Sequence, residues 1–224
     1  MVSLHNRHLV DRTSIPFNLS HWKRCVKLVQ ARLDLTQVDP LTLMELATSY
    51  SGRKRRMYVT AAMDIFNEGW DDRWPKVKMF IKPDKYPLGD ISEKEPRAIQ
   101  FRNPRFNLLI GRWLKPFEER FYKYKHRGLR AVAKGLTPNQ RAEVLKEAWD
   151  SCRRPVALLL DHSRFDSCVR VEHLKMCHKF YNKACNNKYL RWLLRHQLTN
   201  KGTSQHGIRY TVKGTKMSGD YDTA

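Results

Sequence analysis

Apolar residues recur at helical spacing along the first third of the chain. From residue 22 to residue 33 they line one face while basic residues occupy the others, which predicts an amphipathic helix. Asp39 and Pro40 form an N-cap and a first helical position, so a second helix is expected to begin there. Gly52 ends that helix, and a third apolar-periodic stretch continues to Gly69. The first third is therefore expected to be helical.

The rest of the chain mixes strand and helix patterns. Residues 77–81 and 208–212 alternate between apolar and polar side chains, which predicts strands, and the continuous apolar run 156–160 is typical of a strand buried on both faces. Helices are predicted at 106–124, with a kink or fresh start at Pro116, and at 138–149, 171–185 and 189–198. Strands mixed with longer helices, without strict alternation, indicate the α+β class.

Positive charge is spread along most of the chain. Lys and Arg number 43 against 22 Asp and Glu, a formal net charge of +21. Such a field attracts polyanions, either nucleic acid or an acidic membrane surface. No apolar run approaches the roughly 20 residues that span a bilayer, and residues 1–12 lack a signal-peptide pattern. We therefore expect neither a secreted chain nor one with a transmembrane segment.

The five cysteines do not form a recognisable framework. They are odd in number and lack C-x-x-C spacing, so neither a disulfide scaffold nor a zinc ribbon is indicated. Cys177, His178 and Cys185 are close enough in sequence to bind a metal, but ordinary helix packing is the favoured explanation. Free thiols in a reducing compartment are the expected state.

Two aspartates follow the predicted buried strand directly. Asp161 and Asp166 come after Leu160, where a carboxylate on a rigid strand end is accessible to a metal ion. Phosphoryl transfer uses this arrangement, because Mg²⁺ held on carboxylates neutralises charge. Spacing alone does not decide, since Asp34 and Asp39 are also five positions apart without a preceding strand. A strand-end aspartate is also a common turn or cap residue.

Three ordered segments stand out: K-E-P-R-A-I-Q-F-R-N-P at 94–104, followed by 106–116; L-L-L-D-H-S-R-F-D-S-C-V at 158–169; and M-S-G-D-Y-D-T-A at 217–224. In this order they resemble the basic motif F of the fingers, motif A and the start of motif B of RNA-dependent RNA polymerases, in particular the tombusvirus-like group of positive-strand RNA viruses. The resemblance runs from about residue 76 onward, and three ordered motifs are more specific than any one.

The resemblance implies a role for each matching residue. Asp161 would be the catalytic, metal-binding aspartate, which bridges two Mg²⁺ (or Mn²⁺) ions in the complete enzyme. Residues expected to recognise the ribose of the incoming nucleotide are Asp166, Ser218 and Thr223. Cations expected to hold its triphosphate are Arg97, Lys94, Arg102 and Lys82. For Arg97 and Arg102 the alternative is that they are merely outward residues of a strand.

Further residues are expected to contact RNA. Lys85 would extend the basic lining, and Gly219 would give the backbone room to move as the template advances. Ser218 and Gly219 also fit an ordinary turn. Arg53 and Arg55 belong to a basic run that suits phosphate contacts or a solvated helix start equally well.

The resemblance implies an incomplete right-hand polymerase, fingers plus partial palm, helix-rich with a small antiparallel sheet. The expected divisions are a helical region at 1–75, fingers with the nucleotide-entry motif at 76–150, and partial palm at 151–224. No Gly-Asp-Asp occurs in the sequence, although the family carries its second catalytic aspartate there. We therefore expect a truncated polymerase, in preference to a naturally divided one, and an isolated chain that does not polymerise.

Expected partners are the RNA template, nascent RNA, nucleoside triphosphates and viral replication proteins. The expected location is the host cytoplasm, at membrane-associated replication complexes reached through other segments. A basic, non-enzymatic viral RNA-binding protein is the main alternative, and it explains the charge without a metal. A reverse transcriptase palm is a third possibility, but Asp166 argues against it, since deoxynucleotide enzymes place a bulky side chain near the 2′-position.

Overall fold

The structure is a computed structural model that describes residues 2–9, 16–90 and 95–223. Its helices are α1 (Val2–Leu4), α2 (Leu19–Gln30), α3 (Leu43–Thr48), α4 (Gly52–Glu68), α5 (Pro104–Tyr122), α6 (Pro138–Asp150), α7 (Phe165–Cys168), α8 (Val171–Cys185) and α9 (Lys188–Arg195). Its strands are β1 (Val77–Ile81), β2 (Ala98–Phe101), β3 (Lys125–His126), β4 (Leu129–Arg130), β5 (Thr199–Ser204) and β6 (Arg209–Lys213). Among the described residues, no helix is long and apolar enough to cross a membrane.

Four of the strands form one mixed sheet in the order β2-β1-β5-β6. The outer pairs are antiparallel, whereas β1 and β5 are parallel, with Val77 opposite Gly202. The expected antiparallel sheet is therefore wrong in its central pair. The physical reason is the long connection through α5 to α9, which lets the chain return to the same end of the sheet. The helix-rich α+β class is confirmed.

The main hydrophobic core lies between α3, α4, α5 and α9. Its fully buried members include Leu46, Ala62, Phe106 and Leu193. They come from all three of the segments into which we divided the sequence, and the four-stranded sheet likewise combines the second and third segments. The boundaries at 75 and 150 therefore do not separate independent cores, and they stay a prediction about function.

Helix boundaries follow local capping chemistry. Helix α3 begins after Thr42, which forms a capping box with Glu45, so the predicted start at Asp39 is wrong. Helix α5 passes through Pro116 without ending. Proline cannot donate to the carbonyl four residues earlier, but here the Arg112 carbonyl accepts a hydrogen bond from the Leu41 amide at 2.9 Å. A neighbouring segment thus satisfies the group that the proline leaves unpaired.

The apolar run 156–160 is not a strand. It has no regular secondary structure, and Val156 and Leu160 are 88% and 84% exposed. An apolar run becomes a buried strand only where neighbouring strands and covering layers exist, and the described residues supply none at this position. The prediction of a strand at 156–160 is therefore wrong, and Asp161 does not lie at the end of a buried strand.

Candidate functional site

Asp161 lies in an exposed irregular segment just before helix α7. Arg164 turns the chain into this helix with a left-handed backbone, at φ 51°. The short helix carries Asp166 and is closed by Ser167, whose amide and hydroxyl both donate to the Arg164 carbonyl. Asp161 is therefore accessible to solvent, while Asp166 is held on a defined turn.

Helix α7 is bonded to the segment that leads into the third motif. The Lys216 amide donates to the Asp166 carbonyl at 2.9 Å, and the Thr215 amide donates to the Val169 carbonyl at 2.6 Å. These bonds lie directly before Ser218. The structure therefore brings the first and third sequence motifs together through their backbones.

Strand β2 of the second motif holds Ser218 and Gly219 on its outer edge. The Gln100 amide donates to the Ser218 hydroxyl oxygen at 2.9 Å, and the Gly219 amide donates to the Gln100 carbonyl at 2.6 Å. A Cβ atom at position 219 would lie 2.7 Å from both the Gln100 carbonyl oxygen and the Phe101 Cβ. Only glycine permits this close approach. Ser218 itself remains exposed beside the strand.

Arg97 and Lys82 share one carboxylate at the end of β1 and β2 that the connecting segment joins. Arg97 donates two hydrogen bonds to Asp84, at 2.7 and 2.8 Å, and the Lys82 Nζ lies 3.2 Å from Asp84. The Arg97 guanidinium, assisted by Lys82, lowers the pKa of Asp84 to about 2. The predicted cations are thus brought together on a fixed negative charge. Lys85 is exposed nearby in sequence, and Lys94 lies outside the described residues.

Arg102 is buried, in contrast to the channel-lining position that we expected. Its Nε lies 2.5 Å from the Asp220 carboxylate, and both side chains are almost fully buried. It also donates to the Pro75 carbonyl and to the Asn200 side chain. A guanidinium enclosed by these acceptors is not available to a triphosphate, so the structure assigns Arg102 to the interior. The cost of burying the charge is offset because each of the three guanidinium nitrogens has an acceptor.

The loop that carries Ser218 is closed on itself. Lys216 and Asp222 form a buried ion pair, and the Thr223 hydroxyl donates to the Met217 carbonyl at 2.6 Å. Burial alone would raise the pKa of Asp222, but Lys216 lowers it below its ordinary value. Thr223 is therefore placed as part of the loop's internal bonding. Its expected contact with ribose stays a prediction.

Two side-chain contacts tie helix α7 to distant segments. Arg164 forms an ion pair with Glu95 at 2.8 Å, and His8 Nε2 lies 3.7 Å from Asp166 Oδ2. Sequence reasoning missed His8, Glu95 and the partners of the buried pairs, because a long-range contact leaves no local periodicity. The acidic residues that the sequence did single out, Asp161 and Asp166, were recognisable from the motif around them.

Arg53 and Arg55 lie on the exposed first turns of α4. Between them, Lys54 Nζ sits 4.1 Å from the centre of the Tyr50 ring. A cation over an aromatic face is favourable on its own. The exposed position is compatible with both the phosphate contact and the solvated helix start that we considered.

Comparison with known proteins decides the family. A family model described as viral RNA dependent RNA polymerase matches residues 1–224. This chain belongs to that family. It is 39% identical over 191 residues to the RNA-directed RNA polymerase of Tobacco necrosis virus (strain A), covering 83% of this chain and 26% of that protein. The polymerase of Oat chlorotic stunt virus (isolate United Kingdom) is 38% identical over 200 residues, covering 85% and 27%. That of Carnation mottle virus is 38% identical over 187 residues, covering 80% and 24%.

The predicted resemblance is confirmed by these matches. The chain spans about a quarter of the length of the curated relatives it matches. The family assignment favours the polymerase over a basic, non-enzymatic RNA-binding protein. It also favours the class of RNA-dependent RNA polymerases over reverse transcriptases, which make DNA on an RNA template.

The described residues do not assemble a complete metal site. They contain no group of three His, Cys, Asp or Glu side chains that could hold an ion. The Asp161 carboxylate is an exposed hard oxygen donor of the kind that Mg²⁺ prefers. One such donor is chemically suitable but insufficient, because magnesium is bound through several oxygen ligands. Cys177, His178 and Cys185 do not form the alternative metal site that their spacing allowed.

Proposed function

We propose that this chain forms the nucleotide- and template-handling part of an RNA-directed RNA polymerase that replicates a positive-strand RNA virus genome by templated nucleotidyl transfer. The observation that carries the proposal is the meeting of three sequence motifs. Helix α7 bonds to the segment before Ser218, and β2 bonds to Ser218 and Gly219. Curated relatives that match most of this chain are named RNA-directed RNA polymerases.

In this proposal Asp161 supplies one protein oxygen to the divalent ion, Mg²⁺ or Mn²⁺. The ion, when bound, neutralises phosphate charge and activates the attacking hydroxyl. Asp161 is exposed ahead of α7, so its carboxylate is free to join ligands from elsewhere in the polymerase and from the nucleotide. The residues around it position the nucleotide.

The ribose and the triphosphate would contact different elements. Asp166, Ser218 and Thr223 lie on the bonded α7 and motif B segments, and we assign them to the ribose. Arg97 and Lys82 are exposed by 51% and 42% and present cations suited to phosphate oxygens. We assign Lys94 to the same group from its place in the motif.

RNA itself would follow the basic surface. Exposed Lys85, Arg53 and Arg55 are candidates for phosphate contacts, and Gly219 for the passage of the template strand. The net charge of +21 supports binding of template and nascent RNA. We also propose that the polymerase acts with viral replication proteins. It would do so in replication complexes on host cytoplasmic membranes, which other parts of the polymerase would contact.

The experiment compares Asp161→Ala with Asp34→Ala in the complete polymerase that carries this segment. Asp34 is the matched control, since it is an exposed aspartate with the same spacing to a second aspartate. Asp161→Ala should abolish templated nucleotide incorporation and leave RNA affinity little changed, whereas Asp34→Ala should retain both. Incorporation by Asp161→Ala at the unmutated rate would refute the proposal.

A further inference from the structure

The first described residues pack onto the four-stranded sheet. Leu4 is 1% exposed and belongs to a small core with Met79, Ala98 and Tyr210, which come from β1, β2 and β6. This contact anchors helix α1 on the buried face of the sheet. The turn that continues from α1, His5–Leu9, is thereby carried to helix α7.

His8 lies at the end of this anchored turn and faces Asp166. Its side chain is 1% exposed, and its Nε2 is 3.7 Å from Asp166 Oδ2. The Asp166 side chain is 23% exposed, so one side of the carboxylate meets the imidazole while part of it remains open to solvent. A partly open carboxylate against a buried ring has fewer orientations than one on a free surface.

Backbone and side chain of Asp166 are thus held by different segments. The Asp166 carbonyl accepts the Lys216 amide hydrogen bond, which fixes the helix relative to the motif B loop. The Arg164–Glu95 ion pair fixes the preceding turn to the motif F segment. Neither contact touches the Asp166 carboxylate. Among the ion pairs of the described residues, the carboxylate's contact is with His8.

We propose that His8 is a positioning residue for Asp166, orienting the carboxylate that reads the ribose 2′-hydroxyl. The inference rests on the proposed function, in which Asp166 has that role. His8 does not contact the nucleotide. Its effect is to keep the open carboxylate oxygen directed at one place, so that a ribonucleotide gains a hydrogen bond that a 2′-deoxynucleotide lacks.

The test measures sugar discrimination in the complete polymerase. The readout is the ratio of kcat/KM for a ribonucleoside triphosphate to that for its 2′-deoxy counterpart. His8→Leu, which keeps the volume and removes both ring nitrogens, should lower this ratio about tenfold, as expected for a misplaced group. His8→Gln places an amide N–H near the position of Nε2 and should recover most of the ratio. His5→Leu is the matched control, on the exposed side of the same turn.

Asp166→Asn sets the scale and separates two failures. If Asp166→Asn lowers the ratio while His8→Leu leaves it unchanged, the positioning role of His8 is overturned. If Asp166→Asn also leaves it unchanged, the ribose-reading part of the proposed function fails instead. Should His8→Leu not fold, His8→Gln and His8→Asn decide, because the shorter asparagine does not reach the carboxylate. Equal ratios for that pair overturn the proposal.

Discussion

Replacing Arg102 with methionine tests the buried ion pair most directly. The change keeps a long apolar stem but leaves Asp220 as a buried charge without its guanidinium, since the two side chains are 1% and 2% exposed. It also removes the donors to the Pro75 carbonyl and to Asn200. Breaking a buried pair on one side costs about 3–5 kcal/mol in the free energy of unfolding.

That cost sets the expected change in thermal stability. For a chain of this length each kcal/mol lowers Tm by about 2–4 °C, so Arg102→Met should lower it by about 6–20 °C. Circular dichroism on the purified chain measures the shift. Lys146→Met is the control, because its ion pair with Asp150 is exposed by 77% and 56%, and its Tm should hardly change.

A double substitution distinguishes two causes of the lower Tm: loss of the attraction between Arg102 and Asp220, and burial of an unpaired Asp220 charge. Adding Asp220→Leu to Arg102→Met removes both charges, and the double variant should recover part of the lost Tm. The reasoning is refuted if Arg102→Met lowers Tm no more than Lys146→Met does, since a residue with that behaviour cannot be an interior anchor.

The two remaining predictions concern charge at the site and pH. Asp84→Asn removes the carboxylate that Arg97 and Lys82 share, so binding of ATP to the chain, measured by equilibrium dialysis, should strengthen several-fold; unchanged or weaker binding would contradict the pairing. Burial lowers the pKa of His178 below its ordinary 6.5. As pH falls below about 6.5, the unfolded chain is protonated at His178 while the folded chain is not, so the free energy of unfolding decreases. His178→Gln should therefore reduce the fall in Tm between about pH 7 and pH 5.5, and an equal fall in both proteins would argue against it.

Local signals predicted the elements whose causes are local. Helix α8 (Val171–Cys185) and strand β1 (Val77–Ile81) have the predicted bounds, and α6 begins at the predicted residue, Pro138, after a capping box of Thr137 with Gln140. Periodicity and caps act within a few residues, so the sequence alone displays them. Strand β5 (Thr199–Ser204) was missed because its inward positions are polar or small. Its place depends on two neighbouring strands, not on its own apolar pattern.

The candidate site divides in the same way. Asp161 and Asp166 are recognisable because a motif surrounds them, and the motif segments do meet in space. Arg102 carries the same charge as Arg97, yet one is interior and the other exposed. The difference comes from Asp220, which is 118 residues away. The charge of a residue shows what its side chain can bind. It does not show which acceptor the side chain contacts in the folded chain.

The parallel pairing of β1 with β5 has a consequence for how the chain folds. Strands β1 and β2 are synthesised, and can pair with each other, long before Gly202 is available to pair with Val77. Contacts between positions so far apart form slowly, because a long loop must close first. Until then β1 presents an open edge, which favours mispairing with other nascent chains. The exposed, charged side chain of Lys78 opposes such pairing of the β1 edge with other chains.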